Sequence, residues 1–184
     1  MPPLKLAVFD LDDTLVDVNM TCLAPEENAP IVDCGANYGY ATLRPFAVEF
    51  LQALLSAGWY LAIWSAASAK YVDEIARIID NAAKTEIPWL FKWDCSKCTG
   101  WSLLKDLDDV LEGLFSSRRF SDEREAYPEF SKQSVVLYDD CDVHVKHNAK
   151  KGYTCVKPPK YNSKKAKYGK QDLFFKQQLM ALAK

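Results

Sequence analysis

The chain has 184 residues, 49% of them hydrophobic and 26% charged, with a formal net charge of −2, figures ordinary for a soluble globular protein of one domain with a full core. No stretch approaches 18 consecutive apolar residues, so no transmembrane helix and no membrane association are expected, and Met1-Pro2-Pro3 leaves no room for a signal peptide before the first strand. A monomer in the cytoplasm or nucleus, not secreted, is therefore expected, with the six cysteines as reduced thiols.

The apolar run Leu6–Phe9 reads as a buried strand that opens onto Asp10, Asp12 and Asp13. Residues 17–42 are irregular, with turn signals at Pro25–Asn28 and Gly35–Asn37, and the alternation of Tyr38, Tyr40 and Thr42 suits a short hairpin near the mouth of a site. Arg44-Pro45 opens a helix with Pro45 at its first position, an apolar stripe of Phe46, Phe50, Leu51, Leu54 and Leu55, and Gly58 at its end. Trp59–Trp64 is a second buried strand, closed by Ser65, Ala66, Ala67 and Ser68. An amphipathic helix follows, with Tyr71, Ile75, Ile78 and Ile79 on one side. Residues 86–104 read as a loop-rich connection holding Trp89, Phe91, Trp93 and Trp101, and Lys105–Phe115 as a helix. The polar stretch 116–133 reads as a surface insertion, centred on 113–132. Ser134–Tyr138 is a third strand, ended by Asp139 and Asp140. A short helix, a strand at Tyr153–Val156, a lysine-rich segment and a helix over Gln171–Leu182 complete the chain.

Strands alternating with amphipathic helices predict an α/β fold with a parallel sheet and helices on both faces, as one domain over 1–184. In such sheets sites form at the carboxyl ends of strands, where Asp10–Asp12, Ser65 and Asp139–Asp140 would share one rim. Charge is uneven along the chain. Residues 150–184 hold ten lysines against the single acid Asp172, so the rest of the chain is strongly acidic. A lysine-rich extension over 158–184 reads either as a solvated strip or as a docking surface for an acidic partner or nucleic acid.

The acids carry the chemistry. Like charges a few ångströms apart repel by about 4 kcal/mol at an effective dielectric near 20, so a cation must join them or protons must be shared. Mg²⁺ on oxygen ligands answers that need, with Asp10 and one of Asp139 or Asp140 as side-chain ligands and Asp12 offering its carbonyl. Residues two apart on an extended segment face one side, so Asp10 and Asp12 can address one substrate while Asp13 turns away. A nucleophile beside an acid/base, with a metal, is equipment for phosphoryl transfer.

The stretch DLDDTLV at 10–16 matches a DxDxT signature, LRPFAVEFL at 43–51 resembles an RPxxxEFL helix start, and IWSAASAKY at 63–71 resembles a strand end with Ser/Thr followed by AKY. Cys95–Leu107, ending LKDL, and VVLYDD at 135–140 complete the set. Together these blocks resemble the haloacid dehalogenase (HAD) superfamily of aspartyl-phosphate phosphatases, in the FCP/SCP (NIF-like) branch that includes the small phosphatases of the RNA polymerase II carboxy-terminal domain. The resemblance implies a Rossmannoid sheet, a small hairpin insertion and no large cap domain. It implies Asp10 as nucleophile, Asp12 as general acid/base, Ser65 on the phosphoryl group and Lys105 neutralising charge. Asp140 would be the motif IV metal ligand with Asp139 supporting Lys105, although other branches use the first acid. Thr14 would order the motif I loop, and Thr14, Arg44 and Ala66 are grouped as substrate-binding.

No large cap fits into 17–42, which is shorter than the family's pattern, or into 108–133, which is longer. An open site suits a phosphorylated protein or peptide. The expected activity is Mg²⁺-dependent hydrolysis of phosphoserine or phosphothreonine. The alternatives are phosphotyrosine, a sugar phosphate or a nucleic-acid 3′-phosphate, and, of another class, a non-catalytic phospho-binding scaffold. Cys95 and Cys98 have zinc-ligand spacing without a second pair and read as ordinary thiols. His144 and His147 read as solvent-facing or core-edge residues. One of Trp89, Phe91, Trp93 and Trp101, or Tyr38 or Tyr40, is a candidate to line a groove for a proline beside the phosphorylated residue.

Overall fold

Strand β1 (Lys5–Phe9) is apolar on both faces because both are covered. Leu6 and Val8 pack with Trp64, Phe91, Trp93 and Leu137 on one side, while Ala7 and Phe9 pack with Phe50, Ile75, Tyr138 and Phe175 on the other. The computed structural model describes residues 4–20, 30–34, 38–112, 130–164 and 172–183.

β1 is the middle of a five-stranded parallel sheet. On one side lie β5 (Trp59–Trp64) and then β6 (Trp89–Trp93), and on the other β7 (Val135–Tyr138) and then β8 (Thr154–Val156). The chain thus winds outward in one direction and returns to wind in the other, which leaves a crevice between the ends of β1 and β7. Register places Phe9 beside Tyr138, and the Asp10 amide donates to the Tyr138 carbonyl at 2.9 Å. The next residues, Asp10 and Asp139, therefore emerge side by side.

Helices α1 (Ala47–Ser56) and α2 (Ala69–Ala83) cover the Phe9 face. Helix α5 (Phe174–Leu182) joins them there, with the Phe175 ring stacked on Phe50 at 5.2 Å. On the Leu6 face lies the single turn α3 (Asp108–Leu111), and Asn148 of α4 (Asp142–Lys150) bonds to the Leu107 amide at 2.8 Å. A second, antiparallel sheet of β2 (Val16–Asn19), β4 (Tyr38–Leu43) and β3 (Ile31–Asp33), in that order, is inserted between β1 and α1. Gly39 is required there, since an added Cβ would lie 2.5 Å from Val18 Cγ1. Among the described residues no helix is long and apolar enough to cross a membrane.

Several boundaries differ from the sequence reading. The expected hairpin is a three-stranded sheet, with the predicted alternation forming its middle strand. Residues 89–93, read as loop, form edge strand β6, whose exposed Lys92 between buried Phe91 and Trp93 is a period-two pattern too short to register. α1 starts at Ala47 because Phe46 is held in the left-handed region at φ 63°, ending helical geometry ahead of it. Lys105 precedes α3 instead of starting a helix. The centre of the 113–132 insertion, at 113–129, lies outside the described residues, as do 165–171 of the lysine-rich segment and the expected start of the last helix at Gln171. The remaining tail is no detached strip, because Tyr161 and Phe175 are buried in the body.

Candidate active site

The crevice between β1 and β7 holds a buried cation between two acids. Lys105, 1% exposed, reaches it from the coil before α3. Its Nζ donates to Asp10 Oδ1 at 2.5 Å and to Asp139 Oδ2 at 2.8 Å. The backbone behind it is clamped by Asn148, whose Nδ2 donates to the Lys105 carbonyl at 2.7 Å. Burial alone would lower the Lys105 pKa, but the two carboxylates outweigh it and hold the ammonium above the ordinary lysine value. For Asp10 burial wins, pushing its carboxyl up to about 7 against the pull of Lys105. Asp139 is also penalised by burial, yet His144 and Lys105 bring it below the usual carboxylate range.

Asp12 stands in the turn after β1. Its Oδ1 accepts the hydroxyl of Tyr71 from the first turn of α2, while burial raises its pKa above the ordinary value. A carboxyl with a raised pKa and a fixed hydroxyl partner is suited to exchange a proton with a reacting group. Asp13, at φ 58°, turns its side chain to Lys160, with Oδ2 and Nζ 3.2 Å apart. The same ammonium lies 3.2 Å from Asp140 Oδ2, so the tail places a lysine over the acidic rim.

The residues grouped as substrate-binding differ in burial, two buried and one exposed. Thr14 is fully buried, and its hydroxyl accepts the Asp140 amide at 3.2 Å, tying the first catalytic turn to the β7 end. Arg44 is buried below that turn, away from the rim. It donates to the carbonyls of Thr14 and Pro159 at 3.2 and 2.9 Å and pairs with Asp172 at 2.9 Å, so its position argues for pinning the turn to the tail and against touching substrate. Ala66 is exposed at the rim beside Ser65. Ser65 follows β5, is 1% exposed, and accepts the Ala67 amide at 3.1 Å. The helix cap is Ser68, which accepts the Tyr71 amide.

Four contributors were not singled out from sequence for these contacts. Tyr71 hides in the apolar stripe of α2, Asn148 and His144 lie on α4 one turn apart, and Lys160 belongs to a run of similar lysines. Nothing local in the sequence marks Asn148 for burial, since it sits on an otherwise polar helix. Of the aromatics, Phe91 and Trp93 are core, while Trp101 and Tyr38 are exposed.

A metal is implied by the donor set. Asp10, Asp139 and Asp140 each bring a carboxylate oxygen to within 4.8 Å of the others, and all three are buried. Crowded anionic oxygen fits a hard cation such as Mg²⁺. Asp139 meets three partners, Lys105, His144 and the Cys141 amide, against one lysine each for Asp10 and Asp140, so the latter two are the better placed to hold such an ion.

Residues 5–174 match the family of NLI interacting factor-like phosphatases. The chain belongs to that family. None of the curated proteins compared with the chain matches it in sequence. Among solved structures, the fission yeast RNA polymerase II CTD phosphatase Fcp1 bound to beryllium fluoride superposes with a TM-score of 0.57 at 19% identity, over 98% of this chain and 51% of that one. An uncharacterized protein from Listeria monocytogenes serotype 4b gives 0.54 at 16% identity, over 83% and 76%. An HAD family enzyme from Bacteroides thetaiotaomicron, in complex with magnesium and inorganic phosphate, gives 0.52 at 6% identity, over 87% and 96%. At these identities the likeness shows the HAD fold. The chain spans about half the length of the Fcp1 chain it matches.

Proposed function

We propose that this phosphatase hydrolyses phosphoserine or phosphothreonine in protein segments through a covalent aspartyl-phosphate on Asp10, with Mg²⁺ as cofactor. The observation that carries the reading is the buried Lys105 ammonium shared by Asp10 and Asp139 at the crevice, with Asp12, held by the Tyr71 hydroxyl, two residues along. An Asp10 oxygen attacks phosphorus as the bond to the serine or threonine oxygen breaks, and Asp12 gives that oxygen its proton. Asp12 then takes a proton from water, which attacks the phosphoryl group, breaks its bond to Asp10 and releases inorganic phosphate. Tyr71 holds the Asp12 carboxyl in place through both steps. Lys105 keeps positive charge against Asp10 as negative charge shifts among the phosphoryl oxygens, and the Ser65 hydroxyl is positioned on the same rim. Mg²⁺, held by Asp10, Asp140 and the Asp12 carbonyl, would add a second positive charge there.

A panel of phosphoserine, phosphothreonine and phosphotyrosine peptides, with a sugar phosphate and a 3′-phosphorylated oligonucleotide, tests substrate class. Turnover of the first two that disappears on chelation of Mg²⁺ and in Asp10→Asn is expected. Preference for a small phosphate or the oligonucleotide would overturn the substrate assignment, and an active Asp10→Asn variant would overturn the mechanism.

A further inference from the structure

Asp139 belongs to two clusters of donor atoms. One is the all-oxygen set with Asp10 and Asp140. The other comprises Asp139, Cys141 and His144, whose ligand atoms also lie within 4.8 Å of one another. The proposed phosphatase chemistry uses neither the thiol of Cys141 nor a bare imidazole nitrogen. We propose that Asp139, Cys141 and His144 form a second cation site, selective for a soft or borderline divalent ion such as Zn²⁺, whose occupation takes Asp139 from Lys105 and turns the enzyme down.

The donor set decides the class of ion. One sulfur, one imidazole nitrogen and one carboxylate oxygen suit Zn²⁺ and are poor for Mg²⁺, which prefers oxygen throughout. Three protein ligands also leave a fourth tetrahedral position for water. The backbone favours the arrangement. Cys141 caps the N-terminal end of α4 and its amide donates to Asp139 Oδ1 at 2.8 Å, while His144 stands on the first turn of the same helix, 7% exposed. His144 Nδ1 lies 2.9 Å from Asp139 Oδ2, so two of the three donors already face each other. On binding, Cys141 gives up its thiol proton and the imidazole proton moves from Nδ1 to Nε2, freeing the Nδ1 lone pair for the ion.

The coupling to activity lies in one atom. Asp139 Oδ2 accepts from both His144 and Lys105, so an ion drawing that oxygen toward His144 weakens the 2.8 Å bond to Lys105 and sets a second positive charge beside the ammonium. This part rests on the catalytic role proposed for Lys105; the binding part does not.

Co²⁺ added to the metal-free protein reads the site by absorption, since a thiolate ligand gives a sulfur-to-cobalt charge-transfer band in the near ultraviolet. The band is expected in the wild type, lost in Cys141→Ser and retained in Cys95→Ser and Cys98→Ser. Zn²⁺ at saturating Mg²⁺ is expected to inhibit turnover, with at least about tenfold more Zn²⁺ needed in Cys141→Ser. A wild-type spectrum without the band, or a band that follows Cys95 or Cys98, would overturn the site. Inhibition equal in wild type and Cys141→Ser and relieved by excess Mg²⁺ would place the ion in the oxygen cluster and overturn the coupling. The spectrum answers for the site even if the protein turns over none of the phosphates tested.

Discussion

Replacing Lys105 by Met keeps a flexible side chain of similar length and removes one charge from a site where the side chain is almost fully buried. Asp10 and Asp139 then face each other without the ammonium now 2.5 and 2.8 Å away. Breaking a buried ion pair by deleting one partner costs about 3–5 kcal/mol. In a chain of this size each kcal/mol moves the melting temperature by about 2–4 °C, so Lys105→Met should melt about 6–20 °C lower than wild type when Mg²⁺ is chelated. The loss should depend on pH with a defined sign. Asp10 already has a folded pKa of about 7, above that of an unfolded aspartate, so its contribution favours the folded state at low pH and is lost as pH rises toward that value. Without Lys105, the largest influence lowering it, that pKa climbs further and the loss extends to higher pH. Thermal melts of both proteins in chelator at pH 5 and pH 8 should therefore show the larger gap at pH 8, and Mg²⁺ should close part of it. A variant melting within about 2 °C of wild type at pH 8 would refute the reasoning, because it would mean that the two acids do not depend on this cation.

Other outcomes follow from the same geometry. Asp10→Asn should lose turnover by at least about 10⁴-fold and Asp12→Asn by about 10²–10⁴-fold, both read from initial rates at saturating Mg²⁺. Tyr71→Phe should move the alkaline limb of the pH–rate profile upward, since the lost hydroxyl was pulling the Asp12 pKa down; an unchanged limb would remove Asp12 as the group that titrates. Asp172→Asn should destabilise by about 3 kcal/mol, because it leaves the Arg44 guanidinium buried without its anion, and a melting temperature equal to wild type would contradict the pinning role.

The strand–acid junctions at Asp10 and Asp139 were legible because each follows an apolar run long enough to be a buried strand, and alternation with helices implied a parallel sheet. Lys105 was visible within a motif, but nothing local distinguishes a lysine at a helix start from one drawn into a crevice by acids 34 and 95 positions away. Tyr71 was read for its ring because its spacing fits an apolar stripe; the partner of its hydroxyl is 59 positions away. Arg44 illustrates the opposite situation. A motif suggested contact with substrate, whereas Phe174, Phe175 and Tyr161 flank its guanidinium within 4.8–5.6 Å and make it part of the core. The tail was judged by its net charge, and its few anchoring residues were outweighed in that sum.

The pinning of the catalytic turn by distant residues has a consequence for biosynthesis. The Asp13 carbonyl is held by the Tyr161 amide, and Arg44, beneath the same turn, pairs with Asp172 across 128 positions. At translation rates of about 5–20 residues per second, residue 172 follows residue 10 by about 8–30 s. During that interval β1 and its acids exist without the contacts that set the turn, so a nascent chain carries Asp10 well before it carries the assembled crevice. Ribosome-bound chains that expose Asp10 but stop short of Asp172 should be inactive, which keeps an unfinished phosphatase from acting where it is made.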